Sequence, residues 1–581
     1  MGFLKQEVPV LDFETWSRGT RSEKIRPMAR HWAEVGFGTP VALHLFYVAK
    51  IGLYILGGML FALATSGIAG WSAIGQWWSE PIVFQKVVLY TMLFEVVGLG
   101  CGFGPLNNRF YPPVGSILYW LRPNTIRLPP WPRQVPLTDG DNRDGIDILL
   151  YGALLAMLVV ALLSDGTGPD AALSSDVGLL PAWQSWTILG LLAATGLRDK
   201  VIFLAARGEV YAPFVVAFLF GGPNAIVAAK LVCMVIWLGA ATSKLTRHFP
   251  FVIATMMSNS PVVRPRALKR AFFEHFPDDL RPGRLSRALA HVSTAIEGLV
   301  PIVLFFSHGG PATAIAAVVM VCFHLGILSA IPMGVPLEWN VFMIFCVLFL
   351  FVGHSSVGLS DLTNPLPIIL FAAMASVVVA GNLLPHKISF LPGMRYYAGN
   401  WDTTLWCVTP GAEAKIGKGI VSIANMPAAQ LEKFYGSKEA AQIPIYMGYA
   451  FRGFNTHGRA LFTLAHRAMA YRNGDGNEDA YSVTDGERIA SMALGWNFGD
   501  GHMHNEQLIG ALQRRCHFEP GEVRVVLLDA QPLHRTTQRY RLVDAATGEF
   551  ERGWVDVADM AVRQPWDDDV PVHVEHHSDP L

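Results

Sequence analysis

The sequence predicts a polytopic α-helical membrane protein of nine to ten spans, followed by a soluble α+β domain. Three observations lead there. Mean hydropathy is +0.34, and 52% of the 581 residues are apolar against 16% charged, well below the ~25% charged of an ordinary soluble domain. Eight apolar runs approach the ~20 residues needed to cross ~30 Å of hydrocarbon. From about residue 386 the composition changes to that of a soluble domain.

In chain order, residues 1–39 are polar and arginine-rich, with no cleavable signal peptide. They read as an amphipathic arm lying at the membrane interface, with Trp16 and Trp32 as anchors. The transmembrane domain, 40–385, holds apolar runs at 40–66, 84–105, 146–164, 223–243, 290–308, 311–333, 337–353 and 366–385. The stretch 183–222 contains Arg198, Asp199, Lys200, Arg207 and Glu209, and reads as two short spans or as one span plus a re-entrant piece. Charge decides between nine and ten. The arm carries six Lys/Arg, the loop 106–145 five and the segment 244–288 nine, whereas 67–83, 165–182, 309–310 and 354–365 carry none. Ten spans place every arginine-rich segment on one side, which the positive-inside rule assigns to the cytoplasm. The expectation is a multi-pass inner-membrane protein with both termini cytoplasmic.

Residues 386–566 read as the α+β domain. Aromatic and β-branched residues over 395–408 predict strands around a turn at Gly399 and Asn400. Helical periodicity covers 411–470 and 484–517, with Asn505 as a cap. Segments 521–530, 538–543 and 550–556 predict an antiparallel meander turning at Asp544–Gly548. The acidic, histidine-containing 567–581 is expected to be a flexible tail. The six cysteines show no zinc or CxxC spacing, and Cys407 and Cys516 would pair only in an oxidising compartment. A net charge of −1 gives no argument for nucleic acid as a partner.

Ionisable residues inside spans are costly, so each marks either function or a buried pair. His44, Lys50, Glu95, Lys230, Glu297 and His324 qualify. Lys50 or Lys230 paired with Glu95 or Glu297 would neutralise buried charge. Glu338 and Asn340, near a span start, read as interfacially solvated. Lys244 closes the apolar run that begins at Ile236. It is either a snorkelling anchor or an amine whose proton affinity burial has lowered, which would make it a base.

Around Lys244 the segment Ile236-Trp237-Leu238-Gly239-Ala240-Ala241-Thr242-Ser243-Lys244-Leu245, followed by Arg247-His248-Phe249, resembles a helix end of the vitamin K-dependent γ-carboxylase group and its horizontally transferred transmembrane relatives. Cys322-Phe323-His324-Leu325-Gly326 resembles that group's Phe-His helix. The resemblance covers about residues 180–350. It implies that Lys244 acts as a base on a reduced quinone, with His324 and Glu297 as proton or orienting partners and Gly239, Ala240 and Ala241 admitting a flat lipophilic ring. Ser243 departs from the pattern, which often has a second lysine there, and nothing resembles a propeptide-binding surface, so glutamate carboxylation is not expected. The whole chain also resembles an uncharacterised family of actinobacterial transmembrane proteins, which implies no activity.

In the soluble domain, His502 and His504, between Asp500 and Glu506, have the spacing of a metal-binding His-x-His, or of a polar loop before a helix. Arg395, Tyr396, Tyr397, Asn400 and Trp401 fit an interfacial belt or a headgroup seat. No Walker loop, GxSxG elbow or GxGxxG motif is present. Two functions follow. One is an enzyme acting on a quinone, isoprenoid or envelope lipid through Lys244. The other is a non-catalytic lipid-binding or scaffold protein whose soluble domain recruits a membrane-protein partner. The cofactor is a quinone or bound lipid in the first case.

Overall fold

The computed structural model of the chain describes residues 2–4, 6–100, 115–330, 337–471 and 480–578. The ends of the apolar runs 84–105 and 311–333 lie outside the described residues. The N-terminal arm contains α1 (Arg21–Val35), started by a capping box in which Thr20 and Glu23 satisfy each other's amides. The membrane domain follows as α2 (Val41–Leu63), α3 (Pro81–Val96), α4 (Gly145–Leu163), α5 (Ala182–Arg198), α6 (Gly208–Phe218), α7 (Gly222–Ser243), α8 (Phe249–Asn259), α9 (Arg284–Phe306), α10 (Gly310–Leu328), α11 (Leu337–Cys346) and α12 (Leu366–Leu383). A π-helical stretch, Val347–Gly353, extends α11.

Among the described residues, six helices, α2, α4, α7, α9, α10 and α12, are long and apolar enough to cross a membrane. The ambiguous stretch resolves into α5, a short helix over Lys200–Ala205 and α6. Hydrogen bonds sort the connecting segments into two ends. At one end the Ser66 amide donates to Asp165 (2.6 Å), His354 Nε2 contacts the Ser79 carbonyl (2.9 Å), and the Thr363 amide donates to Asn224 (3.0 Å). These are the loops without lysine or arginine. At the other end the Phe37 amide donates to Asn259 (2.8 Å), Ser260 to the Ser329 carbonyl (3.0 Å) and Lys200 to the His502 carbonyl (2.7 Å). The arginine-rich segments and the soluble domain gather here. Four further helices, α3, α5, α6 and α11, are shorter. Nearly all of α3 is buried, so its length need not match the hydrocarbon.

α7 is the axis of the bundle, 89% buried over its apolar window, whereas the windows of α2, α9, α10 and α12 are each 28% buried and turn Leu, Ile, Val and Phe outward to lipid. With lipid as solvent, packing and polar contacts hold helices together. Phe84 of α3 stacks on Phe349 (centroids 4.5 Å apart) and meets Phe214, Phe218 and Phe342. A Cβ at Gly239 of α7 would come within 2.9 Å of Met394 Cβ and 3.0 Å of a Val378 methyl. Glycine there lets α12 and the following segment approach closely.

The soluble domain is built on a six-stranded antiparallel sheet. A hairpin of β1 (Phe273–His275) and β2 (Asp279–Pro282) lies in the loop before α9. The sheet strands are β3 (Thr403–Val408), β4 (Ser482–Asp485), β5 (Val523–Leu528), β6 (Thr537–Asp544), β7 (Gly548–Asp556) and β8 (His573–His577), ordered β4-β3-β5-β6-β7-β8. The meander and its turn match the sequence expectation, with Asp544 accepting the amides of Ala546 and Thr547. Among its helices are α13 (Lys438–Phe454), α14 (Thr456–Ala470), α15 (Glu506–Cys516) and α16 (Val557–Val562). Asn505 does cap α15, accepting the Gln507 amide (3.1 Å), worth about 1 kcal/mol.

Alternation along β3 serves two cores. Trp406 and Val408 join the core continuous with the membrane bundle. Leu405 and Cys407 face a second core that contains α13, α14, the hairpin's Phe273, and Trp16 and Trp32. The arm's tryptophans are therefore buried against the soluble domain, Trp32 at 5.5 Å from Phe451, instead of anchoring to lipid headgroups. Strand structure within the 395–408 prediction is confined to Thr403–Val408. Met394, Tyr397 and Gly399 have positive φ, and a Cβ at Gly399 would press on Val252 and the His248 carbonyl. The expected tail contains β8. No disulfide links Cys407 to Cys516.

Candidate functional site

The end of α7 presents two faces with different chemistry. On one, Trp237 and Lys244 sit seven residues apart, two helical turns. The Lys244 ammonium forms an ion pair with Glu297 of α9, both side chains being less than a tenth exposed, and lies 5.2 Å from the centroid of the Phe249 ring. His324 of α10 takes a hydrogen bond from the Trp237 indole N–H at Nε2 (3.3 Å). An indole nitrogen only donates, so Nε2 is the acceptor and Nδ1 carries the proton, which it gives to Asn340 of α11 (2.9 Å). Lys244, Glu297 and His324 thus occupy one region, but as two separate pairs. Both nitrogens of His324 are occupied by Trp237 and Asn340.

Other charges in the bundle pair differently from the sequence expectation. Lys50 meets Glu338 (3.2 Å), and Lys230 donates to the carbonyls of His354 (2.9 Å) and Val357 (2.5 Å). Glu338 and Asn340 are accordingly buried partners, not interfacially solvated groups. His44 contacts the carbonyl of Pro40 (3.1 Å).

The opposite face of α7 is apolar. Val235, Leu238 and Thr242, with Phe371, Ala375 and Val379 of α12, wall a cavity of about 250 Å³. Its polar members turn inward. Thr242 donates to the Leu238 carbonyl (2.7 Å) and Asn382 to the Val378 carbonyl (2.9 Å). Leu533 of the soluble domain reaches the same cavity and donates its amide to the Asn382 carbonyl (2.9 Å). The size is below the ~300–1,000 Å³ of a pocket for a drug-sized ligand.

A third cluster joins the two domains. His502 Nε2 lies 3.0 Å from the Pro385 carbonyl and 3.3 Å from Asp402. Asp500 accepts from Ser389 and from the His502 amide. His504 Nδ1 turns away to Thr404 (2.7 Å). The two histidines of the His-x-His motif are therefore committed to different neighbours, and the segment latches the sheet to the chain leaving α12. Arg395, Tyr396 and Asn400 also belong to this junction: Tyr396 donates to Leu391 (3.1 Å) and Asn400 exchanges hydrogen bonds with Gln531. They are buried, not arrayed as a lipid belt.

Burial opposes charge on His502, but Asp402 and Asp500 outweigh it and raise its pKa to about 9. Burial, helped by the nearby positive charges of Arg452 and His502, drives His504 down to about 3. A raised histidine pKa contributes stability in full below its unfolded value of ~6.5 and loses it as pH rises through the folded value. The melting temperature of the purified protein is thus expected to fall between pH 6.5 and 9. His502→Gln should flatten that slope, and an unchanged slope would remove the latch from the account. His504, buried neutral, acts oppositely: its contribution is lost as pH falls below 6.5.

Sequence spacing alone did not show the cavity or the latch. The chain belongs to a family. Its profile, described as transmembrane protein of unknown function (DUF3556), matches residues 1–575. Neither a curated protein nor a solved structure matches the chain. Family membership agrees with a transmembrane protein and assigns it no chemistry.

Proposed function

We propose that this membrane protein binds a lipid, holding an acyl or prenyl segment between α7 and α12 beneath the soluble domain. The observation that carries the reading is the apolar cavity whose wall includes Leu533 of the soluble domain. A groove facing only bilayer would need no such contribution. The exposed Lys387 and Arg535 follow the lining residues Leu383 and Leu533 closely in sequence, where a negatively charged headgroup would be favoured. By the positive-inside rule the arginine-rich end, with the soluble domain and both termini, faces the cytoplasm across an inner membrane. There the soluble domain would present bound lipid to a membrane-protein partner.

The enzyme reading, with Lys244 as a base toward a quinone, draws on the convergence of Lys244 and Glu297 near His324. It requires the substrate to reach Lys244. The cavity lies on the other face of α7, and Glu297 already occupies the ammonium, which favours the binding role. Mass spectrometry of co-purifying lipids tests the reading. Wild-type protein should carry an acyl or prenyl lipid at near-stoichiometric level, and Ala375→Trp, which fills the cavity, should lose at least tenfold of it. Equal lipid content in the two proteins would refute it.

A further inference from the structure

The hydrophobic core does not account for β8. All five of its residues are exposed, Val574 included. The strand is held by its ladder to β7, by Gly553, where a side chain would collide with the His573 carbonyl, and by the His573 ring stacked on Trp554 (centroids 5.3 Å apart). His577 Nδ1 lies 2.9 Å from Glu551. At the start of the strand a different arrangement appears. His573 Nε2 lies 3.2 Å from Asp556 Oδ2, and ligand atoms of His573, Asp556 and Asp559 all lie within 4.8 Å of one another.

Two further facts bear on that trio. Asp556 is the N-cap residue of α16, where an aspartate ordinarily accepts an amide of the first turn, yet its carboxylate makes no capping bond. Among the described residues, no lysine or arginine forms an ion pair with Asp556 or Asp559. Two carboxylates therefore face one imidazole, which even when protonated balances only one of them. Ligands of a tetrahedral zinc with bonds of ~2.0–2.1 Å stand about 3.3 Å apart, close to the His573–Asp556 separation already present. One imidazole nitrogen with two carboxylates suits Zn²⁺ or Mn²⁺, whereas Mg²⁺ and Ca²⁺ favour oxygen-only sets. The half-exposed His573 leaves room for water as a remaining ligand.

We propose that Asp556, Asp559 and His573 bind a divalent transition-metal ion that fastens β8 to β7 and α16. The ion replaces the apolar contacts that β8 lacks, so docking of the C-terminal strand depends on metal. The site lies in the soluble domain and is independent of the lipid cavity.

Hydrogen exchange of the full-length protein in detergent, stripped with a chelator and then titrated with ZnCl₂ or MnCl₂, tests this. Zn²⁺ or Mn²⁺ should slow exchange across 573–577 at least tenfold in the wild type, and MgCl₂ should not. Asp559→Asn, a near-isosteric change on the exposed side of a short helix, should abolish the protection while leaving exchange elsewhere as in the wild type. His576 and His577 remain in that variant, so retained protection would mean that the histidines alone capture the ion. That result, an absence of protection in the wild type, or equal protection by Mg²⁺ would overturn the proposal.

Discussion

Replacing Lys244 with methionine is expected to destabilise the protein by about 3–5 kcal/mol, because Glu297 is left charged and buried without its partner. Glu297→Gln should cost a similar amount by stranding the ammonium. The double variant Lys244→Met, Glu297→Gln removes both charges and should recover most of the loss, since replacing a whole buried pair is often close to neutral. Thermal unfolding of the four proteins in one detergent reads the cycle directly. Additive losses would mean that the two groups are not coupled. A base acting on a substrate gives the contrasting result, in which the single lysine variant folds normally and loses only turnover. Retention of bound lipid by the refolded double variant would separate the pair's structural part from the cavity's.

Asp199→Ala is expected to have an effect of similar size. Arg143 and Asp199 form a fully buried ion pair, and Asp199 also accepts the amides of Leu128 (3.2 Å) and Val201 (3.0 Å). Beside it, Arg198 reaches Asp147 (2.6 Å) and Asp144 (2.8 Å), while Arg127 donates to the carbonyls of Asn142 (3.0 Å) and Arg198 (2.9 Å). Removing the Asp199 carboxylate leaves a buried guanidinium and two amides unsatisfied, a loss of about 3–5 kcal/mol. Because this network seats the loop on which α15 rests through Gln507 and the Pro129 carbonyl (2.8 Å), the soluble domain should loosen too. Faster proteolysis around 120–145 in Asp199→Ala would show it, and wild-type proteolysis and melting would contradict the assignment.

Both predictions concern residues whose partners hydropathy does not identify. The bundle itself was legible, because helices with one lipid-facing side must be apolar over their length, and α2, α4, α7, α9, α10 and α12 are. The shorter passages were harder. α3 and α6 are enclosed by protein, so packing sets their ends and no apolar length is enforced. Arg127, Arg143 and Arg198, counted toward the positive-inside rule, are spent on buried carboxylates and carbonyls instead of on lipid headgroups. Lys244 and Glu297 stood out as expensive charges, 53 residues apart. Their pairing needed the crossing of α7 with α9. Glu338, read as interfacial, proved to be the buried partner of Lys50 because α11 begins inside the protein.

Faces of α7 could not be told apart in the sequence, since its few polar residues form no continuous stripe to orient it. That is why the cavity beside Leu238 and Thr242 escaped notice while Lys244 drew attention. His502 and His504 have metal-like spacing, yet the turn before α15 sends one ring to Pro385 and Asp402 and the other to Thr404. β8 carries no apolar alternation, so only its pairing with β7 reveals it as a strand.

The most direct measurement is photo-crosslinking in native membranes with a lipid carrying a diazirine near the end of its chain, followed by peptide mapping. Label concentrated on 235–242 of α7 and 371–383 of α12, and reduced in Ala375→Trp, is the predicted result. Label spread over the outward faces of α2, α9 and α10, with α7 unmarked, would contradict a lipid-binding cavity between α7 and α12.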